Sequence, residues 1–225
     1  MPRETFFHSL EGLKAQLLDL GNRANRTIAD GVTALKTRDR VLAQALIQGD
    51  AELNRLRYDI EENCYRMIAT QQPMASDLRE IISILLVAIE LERIADHSKN
   101  LGEIVIFMGD EPLLKPLIDI PRMADLCQEM LTQALEAFAR NDAELARLIC
   151  SRDDEIDNLY KQVFRELLTY VMEDARTVSR ALNLLFAAHN LERIGDRITN
   201  IGERVIYAAT GRLEELNVEP TSRGK

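Results

Sequence analysis

Residues 91–106 read LERIADHSKNLGEIVI, and residues 191–206 read LERIGDRITNIGERVI. Ten of the sixteen positions agree, and three shared pairs are acidic: Glu92/Glu192, Asp96/Asp196 and Glu103/Glu203. In an α-helix, side chains four apart stand one above the other on a single face. A glutamate and an aspartate so placed offer oxygen ligands, the donors that Mg²⁺, Ca²⁺, Mn²⁺ and iron prefer. A lone pair of this kind is ordinarily a solvated helix face. Its repetition at one spacing points to a site built twice.

The complementary residues lie upstream. Asp153 and Asp157 are four apart, and Asp50 and Asn54 stand at the matching place in the first half. Folding the chain about a short link near Asp174 sets Asp153 near position 195 and Asp157 near 191. Folding about residues 73–75 sets Asp50 near Asp96 and Asn54 near Glu92. Up to four carboxylates then converge on one interhelical groove, and their repulsion opposes folding unless a cation compensates. Lys99, with Arg93 or Arg193, is a basic candidate for part of that task.

The expected metal ligands are therefore Asp50, Asn54, Glu92 and Asp96 in one groove, and Asp153, Asp157, Glu192 and Asp196 in the other. The E-x-x-H pattern of di-iron bundles is absent. Without thiolates or clustered histidines, a closed structural zinc site is disfavoured. His189 precedes Glu192 by three residues, but its counterpart is Ile89, so it reads as a packing residue. His97 reads as a surface residue and His8 as incidental. No Ser/His/Asp or Cys/His set and no phosphate-cradling glycine loop is visible. The expectation is a non-enzyme with no catalytic residues and no organic cofactor.

The elements that must position these residues are helices. Apolar residues recur at three and four, aromatics are 5% of the chain, and no alternating strand pattern occurs. Prolines fall at breaks, at Pro73, Pro112 and Pro116. Six long helices are expected, over about 5–36, 39–70, 76–108, 118–140, 142–173 and 175–210. On helix three, Leu91, Ile94, Leu101 and Val105 share one side while Glu92, Asp96, Lys99 and Glu103 share another. Following the acid rows away from the acids gives apolar residues, with Tyr160, Phe164 and Leu168 after Asp157. Gly102 and Gly202 read as close-packing positions.

The repeat offset is 100 residues in helices three and six, and 103 between Asp50–Leu56 and Asp153–Leu159. The fold class is all-α: two tandem, homologous three-helix bundles. The expected boundaries are 1–110 and 116–211, with 212–225 a disordered tail.

The net charge of −9 argues against a nucleic-acid binder, which needs clustered Lys and Arg. Cys64, Cys127 and Cys150 stand far apart and read as buried thiols in a reducing cytoplasm. No signal peptide is visible, and the longest apolar-rich stretch is broken by Glu90 and Glu92 well short of a membrane span of about 20 residues.

Four stretches, QPMASDLR (72–79), ELERIADHSKNLGE, LTYVMEDARTV (168–178) and LERIGDRITNIGE, resemble the signatures of the PhoU family of bacterial phosphate-transport regulators. The resemblance covers essentially the whole chain. It implies two similar three-helix bundles, and metal clusters held by [ED]-x-x-x-D motifs, here Glu92/Asp96 and Glu192/Asp196. Iron, zinc, manganese or magnesium are the expected ions. Asn54 departs from a full carboxylate set, so the second groove is expected to bind metal more tightly.

The resemblance further implies a regulator between a phosphate ABC transporter and a sensor histidine kinase, acting negatively on the phosphate-starvation response. Such a protein would be cytoplasmic, peripheral at the inner face of the plasma membrane through its protein partners, and a homodimer. The alternative is a metal-dependent phosphohydrolase, or another metal-binding helical protein. The acid rows hold no visible general base or arginine clamp to favour the enzyme.

Overall fold

The computed structural model describes residues 2–216. Seven α-helices follow one another: α1 (Pro2–Thr37), α2 (Arg40–Gln71), α3 (Ala75–Met108), α4 (Asp119–Arg140), α5 (Ala143–Cys150), α6 (Asp153–Glu173) and α7 (Val178–Thr210). A single 3₁₀ turn, Ala175–Thr177, leads into α7. No strand occurs among the described residues.

The all-α expectation holds, with one correction. The expected helix 142–173 is two helices, broken at Ser151 and Arg152. Ser151 Oγ donates to Leu148 O at 2.7 Å, and Arg152 N bonds to Ile149 O. Short polar side chains compete with the helical ladder in this way. The break starts α6 at Asp153, where the helix N-terminus favours acids.

Each half is an up-down-up bundle. Leu10, Leu13, Leu17, Leu20, Ala24, Ile28 and Leu35 form the buried stripe of α1, each 3% exposed or less. Their spacing of three and four keeps one face inward. Arg23 pairs with Glu52 and Asn63 with Gln16, so α1 and α2 run antiparallel. Lys14 pairs with Glu80, and Gly31 lies against Leu101, so α3 returns parallel to α1. In the second half Gln162 bonds Asp119, setting α6 antiparallel to α4, and Cys127 Sγ reaches Leu191 O across α4 and α7.

The halves share one hydrophobic core. α3 packs on α7 along most of its length, and α1 packs on α4, where Asn25 donates to Thr132 Oγ1 at 2.9 Å. His97, expected at the surface, is half-buried in the α3–α7 seam, and its Nδ1 lies 3.0 Å from Asn190 Oδ1. Burial pushes its pKa below the ordinary histidine value. The helical row had placed it off the acid face; that direction is where the second half docks.

The connection between halves is anchored. Gly109 ends α3 at φ 58, and Arg38 Nη1 bonds the carbonyls of Asp110 and Glu111. Lys115 is buried and pairs with Glu166. Of the expected tail, residues 212–216 lie against the body: Arg147 makes two hydrogen bonds to Glu214, and Leu216 N donates to Glu203. Residues 217–225 lie outside the described residues.

All three cysteines are buried, and burial pushes the thiols of Cys64 and Cys150 up to about 12 and that of Cys127 higher still. They are inert packing groups, as expected. Gly102 and Gly202 are close-approach positions. A Cβ on Gly102 would stand 3.0 Å from Ala43 O, and one on Gly202 would stand 2.5 Å from Cys150 Sγ. Gly102→Ala therefore forces α2 and α3 apart. It should lower stability in urea melts by about 1–3 kcal/mol, despite alanine's better helix propensity.

Candidate functional site

The first groove lies between α2 and α3, and both expected acid pairs reach it. Lys99 Nζ sits between them, 2.5 Å from Asp96 Oδ1 and 3.5 Å from Asp50 Oδ2. Asn54 Nδ2 donates to Asp50 Oδ2 at 3.0 Å. Glu92 is half-buried. Burial first, and then the Asp96 charge, raise its pKa, while Arg57 acts in the opposite sense. Arg57 pairs with Glu61 and lies 3.8 Å over the Tyr58 ring. Sequence reasoning missed Arg57, although it follows Asn54 by three residues and so shares its helix face.

The second groove lies between α6 and α7. The break before α6 leaves Asp153 buried in the first helical turn. Its carboxylate passes so close to Gly195 that a Cβ there would stand 2.7 Å from Asp153 Oδ1. The expected approach of Asp153 to position 195 is what the structure shows. The glycine in LERIGD is the signal for it, since the first copy has alanine.

Glu192 faces the same groove. Burial, and then the charge of Asp196, push its pKa up to about 7, with Asp157 and Asp153 adding to the rise. Its Oε2 is buried and accepts no hydrogen bond. His189 Nδ1 lies 3.3 Å from that oxygen, near enough for an ion pair but not aligned as a hydrogen bond. Asp196 is turned to Arg193 at 2.8 Å, and Asp157 to the exposed Lys161 at 3.5 Å. Among the described residues, no group of three or more His, Cys, Asp or Glu side chains is gathered closely enough to hold a metal ion. Glu103 is exposed, and Glu203 accepts the Leu216 amide, so neither joins a groove.

Beyond the second groove the acid row gives way to apolar side chains, which are not covered. Phe164 and Leu168 on α6 are each 47% exposed, and Leu182 and Phe186 on α7 are 44% and 55% exposed. Periodicity identifies such a row, but not whether a neighbour lies over it.

The PhoU domain profile matches the chain twice, over residues 17–105 and 120–205. The chain belongs to the PhoU family. A phosphate-specific transport system accessory protein PhoU homolog of Caulobacter vibrioides is 40% identical over 214 residues, covering 95% of this chain and 92% of that protein. A Pseudomonas aeruginosa homolog of the same name is 40% identical over 92% of this chain and 86% of its own. The crystal structure of PhoU from Pseudomonas aeruginosa superposes with a TM-score of 0.88 at 39% identity, covering 92% of this chain and all of that one. The phosphate transport system regulatory protein PhoU from Streptococcus pneumoniae gives 0.87 at 31% identity, over 93% and 99% of the two chains.

Set against the metal sites that the PhoU resemblance implies, the two grooves differ. The second offers an all-oxygen set, a buried carboxylate oxygen without a hydrogen bond, and an aspartate lodged in the space a Cβ at Gly195 would fill. Oxygen donors of this kind suit a hard cation, although the described side chains are not gathered around one point. The first already holds an ammonium between its two aspartates.

The Glu192 environment sets a pH dependence. In metal-free protein the folded chain keeps the Glu192 proton to about pH 7, whereas an unperturbed carboxyl releases it near 4.5. The stabilisation from this group is therefore complete below about pH 4.5 and is lost as pH rises through about 7. In chelator, Glu192→Gln should match the parent near pH 4.5. At pH 8 it should exceed it by about 1–2 kcal/mol in denaturant melts, a value discounted for the partial exposure of the carboxyl.

Proposed function

We propose that this chain is a non-enzymatic regulator of phosphate transport and of the phosphate-starvation response. It acts as an adaptor between a phosphate ABC transporter and a sensor histidine kinase. The observation that carries the reading is its likeness, over 95% of its length, to a relative named as a phosphate-specific transport system accessory protein. The description of the Streptococcus pneumoniae relative as a regulatory protein supports it. In this reading the protein works in the cytoplasm as a homodimer, peripheral to the inner face of the plasma membrane through its partners. Among the described residues no helix is long and apolar enough to cross a membrane.

The exposed apolar side chains of α6 and α7 are compatible with the adaptor reading. Half-exposed aromatic and aliphatic side chains grouped beside charged residues are the composition of interface cores. We assign Phe164, Leu168, Leu182 and Phe186 to the contact with a transporter subunit. The second groove beside it would hold a hard cation through Asp153, Asp157, Glu192 and Asp196 once Asp157 and Asp196 turn from Lys161 and Arg193 towards Glu192. When bound, the cation supplies positive charge that relieves the repulsion among these carboxylates. Glu192 would then lose its proton, and Asp196 would exchange Arg193 for the ion.

Two measurements test the reading. The transporter ATPase subunit should capture the wild-type chain in a pull-down, with and without phosphate, and Phe164→Glu with Phe186→Glu should weaken capture at least ten-fold. Undiminished capture would remove the assigned face. No capture by transporter or kinase, together with phosphatase turnover, would replace the adaptor with the hydrolase. Elemental analysis of native protein should find metal that falls sharply in Glu192→Ala plus Asp196→Ala. Metal content that is nil, or indifferent to the double substitution, would discard the groove.

A further inference from the structure

The two grooves descend from one repeat, so each residue of one has a counterpart in the other. With the offset of 103, Asp50 corresponds to Asp153, Asn54 to Asp157 and Arg57 to Tyr160. With the offset of 100, Glu92, Asp96 and Lys99 correspond to Glu192, Asp196 and Thr199. The acids are kept, apart from Asn54. Lys99 and Arg57 are cations in the first groove where Thr199 and Tyr160 are neutral in the second, while Lys161 of the second groove stands where the first has Tyr58.

The side chains confirm that these cations belong to the groove. Lys99 is only 21% exposed, and its ammonium touches an aspartate from each wall, Asp96 on α3 and Asp50 on α2. Asn54 turns its amide to the other side of the system, donating to the same Asp50 Oδ2 that Lys99 approaches. Arg57 is 16% exposed and tied to Glu61, one turn along α2. In the second groove, Thr199 is 1% exposed and spends its hydroxyl on Gly195 O within α7. Tyr160 lies beside His189, with ring centroids 6.1 Å apart. The basic partners there, Arg193 and Lys161, each pair with an acid of their own helix.

We propose that Lys99, assisted by Arg57, is the resident cation of the first groove. It takes the place an external metal ion would occupy, so the first groove of this chain is closed to metal and only the second is open. The duplicated site has become one self-neutralised joint and one ion-dependent joint. The last clause rests on the cation reading of the second groove; the role of Lys99 does not.

A tethered ammonium and a free divalent ion differ in what removes them. Chelator strips the ion and leaves the lysine. Removing the lysine charge opens the groove, and an added ion should then take its place.

The test uses the full chain, stripped with chelator and dialysed against Mn²⁺, with bound metal read by elemental analysis and thermal melts run in parallel. Wild type should bind no Mn²⁺ that depends on Glu92 and Asp96. Its content should be unchanged by Glu92→Ala plus Asp96→Ala. Lys99→Gln keeps a polar side chain, one atom shorter, and drops its charge. In chelator it should lower the melting temperature by about 2–4 °C, and millimolar Mn²⁺ should restore most of that loss. Lys99→Thr with Arg57→Tyr copies the second groove and should gain about one Mn²⁺ per chain, lost again on adding Glu92→Ala. Lys99→Arg should behave as wild type.

If the second groove takes Mn²⁺ but neither Lys99 variant gains metal or cation-dependent stability, the resident-cation role is wrong and the second-groove reading stands. If the Lys99 variants gain Mn²⁺ while wild type binds none, the second-groove reading is wrong and the role of Lys99 stands. Wild-type Mn²⁺ that disappears in Glu92→Ala plus Asp96→Ala would overturn the proposal directly. Should the double variant not fold, Lys99→Gln alone decides.

Discussion

Along the seam between α3 and α7, Glu90 accepts from Asn200 and pairs with Arg197, while Asn190 accepts from Asn100 and meets His97. The two sets are the same contact written twice about a pseudo-dyad, with Glu90 facing Arg197 in one and Asn190 facing His97 in the other. Because 90 meets 197 and 97 meets 190, the helices are antiparallel and in a fixed register. Glu92–Asp96 and Glu192–Asp196 then lie at one level of the molecule, on opposite flanks of the seam. This polar ladder is closed by apolar packing that leaves Leu91, Ile94, Leu191 and Ile194 wholly buried. A slip along the seam would have to break both at once.

That register makes the acid rows costly. On each flank the acids of α3 or α7 face those of the neighbouring α2 or α6, and partial burial removes the water that would screen their repulsion. The chain answers by interleaving bases at neighbouring positions. Arg193 takes Asp196, Arg197 takes Glu90, and Lys99 takes Asp96 and Asp50. Glu192 keeps a buried oxygen without a hydrogen bond, and burial, followed by the Asp196 charge, raises its pKa. Its counterpart Glu92 feels Arg57 as well as its acidic neighbours.

The helices and the pairing of their rows were legible because both follow from local spacing. Leu91, Ile94, Leu101 and Val105 are buried as their period requires, and Asp153 meets Gly195 as the antiparallel link requires. What lay hidden depends on non-local packing. His97 looked solvated because nothing in its own helix shows that a second bundle docks there. Phe164 and Leu168 continue an apolar row, and such a row does not reveal whether it has a neighbour. The break at Ser151 and Arg152 replaces one backbone hydrogen-bond pattern by another of similar energy, so it leaves only a faint mark in a run of polar residues.

The same distinction explains why a duplicated bundle can keep its shape while its two grooves part company. Shape is held by the buried rows and by the close approaches at Gly102 and Gly202, which recur in both halves. Charge balance is held by single side chains at the groove walls, such as Lys99 and Thr199, whose exchange leaves the helix path intact. A single wall residue can therefore change the charge balance of a groove without disturbing the core beneath it. The acids Glu92, Asp96, Glu192 and Asp196 are tied to the architecture because the seam fixes their level on α3 and α7. The acids of LERI[AG]D are the same in both copies, while three residues beyond the motif Lys99 in one copy stands where the other has Thr199.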